Sequence, residues 1–250
     1  PYQPASKSRE AWRKGWSSPA QGTVNGKDLI FWGGGDGFCY AFDARIEPGR
    51  DGQPGTLRRV WQFDCNPPHN TFKDGQKLPY NKNKQGPSEI IATPVLVNNR
   101  IYVAVGQDSR HGPGPGCFSC IDATRAGDIT ESGKLWQSFD VNRSFSSAAV
   151  TRDGLVFIAD YTGILRCFDA DTGRAYWSHD LKGRVFCSPL CADGRVFIGT
   201  EAGRLTVAAA TREKKILDEI RFDGPIYATP VAANGVLYIA SQRTLYAFSN

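Results

Sequence analysis

The sequence predicts an all-β fold, a β-propeller of four-stranded antiparallel blades with about five blades visible. Three observations carry this. A short motif recurs at a fixed spacing, apolar and polar residues alternate after each copy, and Asp-Gly or Asn-Gly turns punctuate the strands. The motif is Ala92-Thr93-Pro94-Val95, Ser146-Ser147-Ala148-Ala149, Cys187-Ser188-Pro189-Leu190 and Ala228-Thr229-Pro230-Val231. Ser147 to Ser188 is 41 residues, and Ser188 to Thr229 is 41 again. A further copy begins at Ser17-Ser18-Pro19-Ala20. A repeat of about 40 residues holding four short strands is one propeller blade, which cannot bury both faces alone and stacks on its neighbours.

Each element follows from local chemistry. The motif opens the first strand. Asp153-Gly154, Asp193-Gly194 and Asn234-Gly235 then turn the chain, because these residues accept positive φ cheaply. Second strands are expected at Asp28–Trp32, Arg100–Val105, Leu155–Ala159, Arg195–Gly199 and Val236–Ala240. Third strands are expected at Phe38–Asp43, Phe118–Asp122, Ile164–Asp169, Arg204–Ala208 and Thr244–Phe248. A fourth strand carries a Trp in three copies, Trp61, Trp136 and Trp177, whereas the fourth copy has Asp218 in that register. No segment has sustained helical periodicity, and Thr211–Ile220 falls on the hairpin between third and fourth strands. Gly33-Gly-Gly-Asp-Gly37 is followed by a strand rather than a helix, so it is a hairpin turn and not a phosphate cradle.

Composition narrows the class. At 250 residues the chain can bury a substantial core, and 40% hydrophobic with 12% aromatic content excludes a disordered chain. No apolar run approaches the ~20 residues that span a bilayer, so no transmembrane segment is expected. The net charge of +5 is dispersed, its densest group being Lys7, Arg9, Arg13 and Lys14, and no nucleic-acid partner is expected. The chain has no Met and starts Pro1-Tyr2-Gln3-Pro4, which reads as a processed or truncated product.

The segment Asp169-Ala-Asp-Thr-Gly173-Arg-Ala-Tyr-Trp177, preceded by Ile164-Leu-Arg-Cys-Phe168, resembles the repeat of the pyrroloquinoline-quinone-type (PQQ-like) propellers. Trp16-Ser-Ser-Pro19, Gly33–Gly37, Phe63-Asp-Cys-Asn-Pro67, Val105-Gly-Gln-Asp108 and Cys120-Ile-Asp-Ala-Thr124 are similar to the C-terminal part of large bacterial members. The resemblance implies that Trp61, Trp136 and Trp177 dock each blade on its neighbour. It also implies an extracytoplasmic, periplasmic location, and a family that includes quinoprotein dehydrogenases as well as non-catalytic scaffolds. Residues 1–15 form an N-terminal segment, and 16–250 hold the blades. Two accounts of the ring remain. Glu10-Ala11-Trp12-Arg13 closes a five-bladed ring as the missing fourth strand, or the chain is part of a seven- or eight-bladed ring. The second is favoured because the resemblance starts mid-pattern.

Strand order in a propeller puts second-to-third and fourth-to-first connections on one face. Two long inserts, Cys65–Glu89 and Gln107–Gly116, are therefore expected together on adjacent blades, with Ile46–Leu57 and Thr124–Lys134 on the opposite face. The first pair holds the candidate ligand-binding residues Asp108, His111 and His69, along with Asp74 and Glu89; imidazole and carboxylate on one face can bind a ligand or metal. His179 ends a fourth strand and reads as structural. Cys117-Phe-Ser-Cys120 has redox or zinc spacing, but no second pair follows. Cys120 and Cys167 instead fall in the register of Ala41 and Ala247, Cys187 in that of Ala92 and Ala228, and Cys39 in that of Leu165 and Leu245. A free Cys serves as a compact hydrophobe in such slots. Cys65 alone has no equivalent.

Three functions stay open. The favoured one is a non-catalytic scaffold binding a protein or other partner through loops on one face, with no catalytic residues and no cofactor. The second is a quinoprotein dehydrogenase using PQQ and calcium, against which stand the absence of a vicinal Cys pair and of a C-x-x-C-H haem motif. The third is a carbohydrate-binding propeller using exposed aromatics such as Tyr80 and Phe72.

Overall fold

The computed structural model describes residues 15–49, 52, 54–78, 87–106 and 114–249. It forms two compact units, Pro1–Asp140 and Val141–Asn250. The first unit holds two blades. Blade 1 is β1 (Ala20–Val24), β2 (Lys27–Gly33), β3 (Phe38–Glu47) and β4 (Thr56–Asp64) in sequential antiparallel order. An insert follows with a one-turn helix α1 (Pro68–Thr71) and a small hairpin, β5 (Phe72–Lys73) and β6 (Gln76–Lys77). Blade 2 is β7 (Val95–Val97), β8 (Arg100–Ala104), β9 (Phe118–Asp122) and β11 (Lys134–Ser138); the short β10 (Gly127–Asp128) between the last two joins blade 1 instead.

The second unit holds three blades. Blade 3 is β12 (Ala149–Val150), β13 (Leu155–Ala159), β14 (Ile164–Asp169) and β15 (Ala175–Asp180). Blade 4 is β16 (Leu190–Ala192), β17 (Arg195–Gly199), β18 (Arg204–Ala209) and β19 (Ile216–Arg221). Blade 5 has three described strands, β20 (Val231–Ala233), β21 (Val236–Ala240) and β22 (Leu245–Ser249). The propeller-blade expectation thus holds, with strand bounds close to those read from alternation. Residues 1–14 of the N-terminal segment, including Glu10–Arg13, lie outside the described residues.

The blades are joined by hydroxyls at the repeat motif. Ser17 Oγ donates to the Ala92 carbonyl at 2.9 Å, and Ser146 Oγ to the Cys187 carbonyl at 2.6 Å. Ser188 Oγ accepts the Ser147 N–H, and Thr229 Oγ1 accepts the Ser188 N–H, both at 2.9 Å. Small polar residues recur there because each must reach the backbone of the next blade's first strand.

Two inserts are more regular than loops. Ile46 and Glu47 pair with Leu57 and Thr56, extending the β3–β4 hairpin beyond Asp43. Asp43 ties that hairpin together by accepting from both Arg45 and Arg58. Within Thr124–Lys134, β10 pairs in parallel with β4, so blade 1 becomes five-stranded. The reason is an otherwise open edge: Ile129 N–H bonds the Gln62 carbonyl, and Thr130 Oγ1 accepts from the Asp64 N–H.

The turn after β14 shows how the repeat encodes its own hairpin. Asp169 accepts from the Tyr176 hydroxyl, the Thr172 hydroxyl and the backbone N–H groups of Asp171 and Thr172. These bonds, led by Tyr176, hold its carboxyl down to about 2. An unfolded Asp titrates near ~3.9, so this stabilisation is complete above about pH 4 and is lost as pH falls through about 2. Asp169→Asn is expected to be less stable than the wild type at pH 5 and to converge with it near pH 2, read from urea midpoints. A gap independent of pH would reject the assignment.

Candidate functional site

The insert after blade 1 is rooted by one side chain. Asn66 Nδ2 donates to the Ser88 carbonyl at 2.9 Å, and its Oδ1 accepts the Ser88 N–H at 2.7 Å. Asn66 and Ser88 are both buried, so these bonds form away from water and close the ends of the insert on each other. Inside it, Thr71 Oγ1 donates to the Pro67 carbonyl, and Leu78 N–H to the Thr71 carbonyl. Just beyond the root, fully buried Glu89 forms a β-bridge with Gly106, whose N–H donates to the Glu89 carbonyl at 2.6 Å. The end of the first insert and the start of the second are thereby held together.

Of the candidate ligand residues, Asp108 and His111 lie outside the described residues. His69 is exposed in α1 and packs edge-on against Phe139, with ring centroids 5.2 Å apart. Phe139 follows β11 and is 52% exposed, so an aromatic and an imidazole share this surface. Asp74 occupies the β5–β6 turn with φ of 52°. Tyr80 is outside the described residues. Sequence reasoning missed Asn66, Ser88 and Phe139. The Asn66–Ser88 clamp spans 22 residues, beyond any local pattern.

A second surface lies in the other unit. Phe145, Phe186 and Tyr227 precede the first strands of blades 3, 4 and 5 at the same 41-residue interval as the motif. Phe145 stacks on Phe186 at 5.5 Å, and Phe186 meets Tyr227 edge-on at 5.4 Å. Tyr161, in the second-to-third turn of blade 3, packs against both Phe145 and Phe186. Arg184 lies over Tyr161, donates to its hydroxyl and pairs with Glu201. The same period that revealed the motif was the available signal for this stripe. Away from it, the first-to-second hairpins of blades 3 and 4 flank an open groove of about 620 Å³ lined by Arg152, Asp153, Cys191, Asp193 and Arg195.

The sequence-assigned Trp residues occupy repeating positions. Trp61 is fully buried and donates its indole N–H to the Ala123 carbonyl of blade 2 at 3.1 Å. Trp177 donates to the Thr211 carbonyl of blade 4 at 2.9 Å. Trp136 packs on Tyr102 and Phe118 within blade 2. Blade 4 places Asp218 opposite Val207, where blades 1 to 3 have Trp. His179 approaches Glu219 of blade 4 at 3.5 Å.

All seven cysteines are free thiols. Burial pushes Cys117, Cys167 and Cys191 up to about 12, far from thiolate chemistry at neutral pH. Cys65, unassigned from sequence, proves to have a repeat equivalent. Its N–H bonds the Gly37 carbonyl as Leu181 bonds Gly163 and Phe222 bonds Gly203, so it fills the core slot after the fourth strand. The insert begins one residue later than its hydrophobic root. Among the described residues, no three His, Cys, Asp or Glu side chains converge as a metal shell.

A family model of the PQQ type, described as outer membrane protein assembly factor BamB, matches residues 123–215, less than half of the chain. Among solved structures, BamB from Moraxella catarrhalis superposes with a TM-score of 0.67 at 19% identity, covering 94% of this chain and 58% of that one. Residues 123–215 thus match a PQQ-type repeat model, and the chain as a whole has the propeller fold. The C-terminal WD40 domain of Sif2 shares the architecture at a TM-score of 0.62 and 16% identity, over 89% of this chain and 54% of that one. Two curated relatives are similar to this chain over shorter stretches. Quinohemoprotein alcohol dehydrogenase of Comamonas testosteroni is 23% identical over 119 residues, 43% of this chain and 17% of the relative. The dehydrogenase subunit of the quinone alcohol dehydrogenase of Acetobacter aceti is 28% identical over 107 residues, 38% of this chain and 14% of the relative. The chain thus spans under a fifth of the length of these two relatives and a little over half of the solved propellers. No helix among the described residues is long and apolar enough to cross a membrane.

Proposed function

We propose that this PQQ-like propeller is a non-catalytic scaffold that binds a protein partner through the paired inserts of blades 1 and 2, outside the cytoplasm. The observation that carries the reading is the construction of the insert root. Asn66 clamps one insert shut, and the Glu89–Gly106 bridge joins it to the next. Loops anchored on a rigid base favour recognition, because less ordering entropy is lost on binding. His69 and exposed Phe139 supply an aromatic contact of the kind that dominates protein interfaces. The BamB likeness, by fold and by family model, agrees with a scaffold role in the cell envelope.

Photo-crosslinking tests this. A benzophenone residue at His69 or Phe139 is expected to trap a discrete protein adduct in cells, whereas one at Lys215, in the hairpin before β19, is not. Equal trapping at all three positions, or none, would reject the site.

The dehydrogenase relatives motivate one alternative, a quinoprotein needing PQQ and calcium. Among the described residues no three His, Cys, Asp or Glu side chains converge to offer calcium a carboxylate-rich shell. Reconstitution with PQQ and Ca²⁺ that produced dye-linked alcohol oxidation would favour this alternative over the scaffold. Failure of a glycan array to bind would remove the carbohydrate reading.

A further inference from the structure

Two stretches carry the positive charge of this chain. Residues 1–14, outside the described residues, set Lys7, Arg9, Arg13 and Lys14 against Glu10. The other stretch is the first insert. Between the clamp residues Asn66 and Ser88 the sequence has Lys73, Lys77, Lys82 and Lys84 against Asp74 alone, a net +3 in a chain of +5. The remaining inserts are balanced or slightly acidic. Gln107–Gly116 sets Arg110 against Asp108, and Thr124–Lys134 sets Arg125 and Lys134 against Asp128 and Glu131. Ile46–Leu57 sets Arg50 against Glu47 and Asp51.

Surface cations elsewhere are paired within the fold. Arg45 and Arg58 share Asp43, Arg125 pairs with Asp122, Lys134 with Glu131 and Arg204 with Glu219. Lys73 is exposed and has no ion-pair partner among the described residues. It stands on an ordered base. α1 runs directly into β5, and the turn Asp74-Gly75, with φ of 52° and 75°, folds β6 back so that Lys73 pairs with Gln76. Leu78 N–H closes this hairpin on the Thr71 carbonyl. Four residues before Lys73, His69 meets exposed Phe139. A positioned cation beside an aromatic pair loses little ordering entropy on binding. Like charges gathered on one loop repel each other, and opposite charge from outside relieves that repulsion.

We propose that the partner of the first insert is a protein presenting an acidic surface, whose carboxylates meet Lys73 while an apolar patch covers Phe139. This rests on the scaffold reading above and gives its partner a chemistry. The charge of the insert steers the approach, and the aromatic contact holds the complex once it has formed.

The probe is the full chain with a benzophenone residue at His69, illuminated in envelope extracts. Its protein adduct is expected to weaken about tenfold or more as NaCl rises from about 50 to about 500 mM, because salt screens exposed charge. Lys73→Glu with Lys77→Glu is expected to cause a loss of about the same size at low salt. Lys27→Glu with Lys215→Glu changes the net charge equally on exposed hairpins outside the insert. That pair is expected to leave the adduct within about twofold, since the interaction is local. An adduct indifferent to salt and to the insert lysines overturns the acidic partner and leaves the scaffold reading standing. Equal loss from both charge pairs also overturns it, since net charge alone would then suffice. No adduct with the native lysines overturns both readings. Sedimentation with phosphatidylglycerol vesicles, abolished by Lys73→Glu with Lys77→Glu, would assign the charge to a membrane surface and overturn a protein partner.

Discussion

Trp61→Ala is expected to destabilise the first unit by about 3–5 kcal/mol, the range for truncating a large buried aromatic. Two physical losses combine. The indole is fully buried and packs on Phe31 at 5.9 Å, so its removal leaves a cavity that strands held in two ladders cannot collapse to fill. Its N–H also satisfies the Ala123 carbonyl, which would be left unpaired between blades 1 and 2. Trp61→Phe separates the two, keeping most of the packing while losing the hydrogen bond, and is expected to cost roughly a third as much. Urea unfolding followed by hydrogen exchange in β3, β4 and β9 checks both. Equal costs for Ala and Phe would show that the hydrogen bond, not the packing, dominates.

Gly37→Ala is expected to release the insert and lower stability by about 3 kcal/mol or more. Gly37 has φ of 81°, a region that costs a residue with a Cβ about 1–2 kcal/mol. The added methyl would also sit inside the van der Waals radii of Asn66 Nδ2 and the Ser88 carbonyl, the two groups of the clamp. Gly154 provides the control. It has φ of 82° and open space within 4 Å of where its methyl would sit, so Gly154→Ala should show the conformational cost alone. Limited proteolysis within 68–87 should accelerate in Gly37→Ala and not in Gly154→Ala. Equal behaviour would mean that the clamp does not depend on this close approach.

The blade repeat was readable because each strand is short and half-buried, so alternation and Asp-Gly turns record it locally. Leu155–Ala159, Phe118–Asp122 and Ile164–Asp169 were read with the bounds they have. The loss of Trp at Asp218 was also visible, since the 41-residue register holds without gaps between blades 3 and 4. Cys65 was not readable. It belongs to the slot of Leu181 and Phe222, but the long insert that follows hides the end of the repeat. The pairing of β10 with β4 was equally hidden, because two residues gain strand geometry only from a neighbour's open edge.

The candidate site divides in the same way. Strand order alone argued for the two inserts as neighbours, yet the root residues Asn66 and Ser88, and Phe139 beside the first insert, carry no local signature. Asn66 binds a residue 22 positions away, and Phe139 meets His69 across a whole blade. By itself the sequence determined the blade, its period, its turns and the small core slots of the third strands. Those depend on contacts within one hairpin, and a hairpin writes its requirements into adjacent residues. Only the tertiary structure decided which polar groups clamp the first insert and which strand edge β10 covers. Both are settled by what a distant segment supplies, and that pairing is set by the geometry of packed sheets.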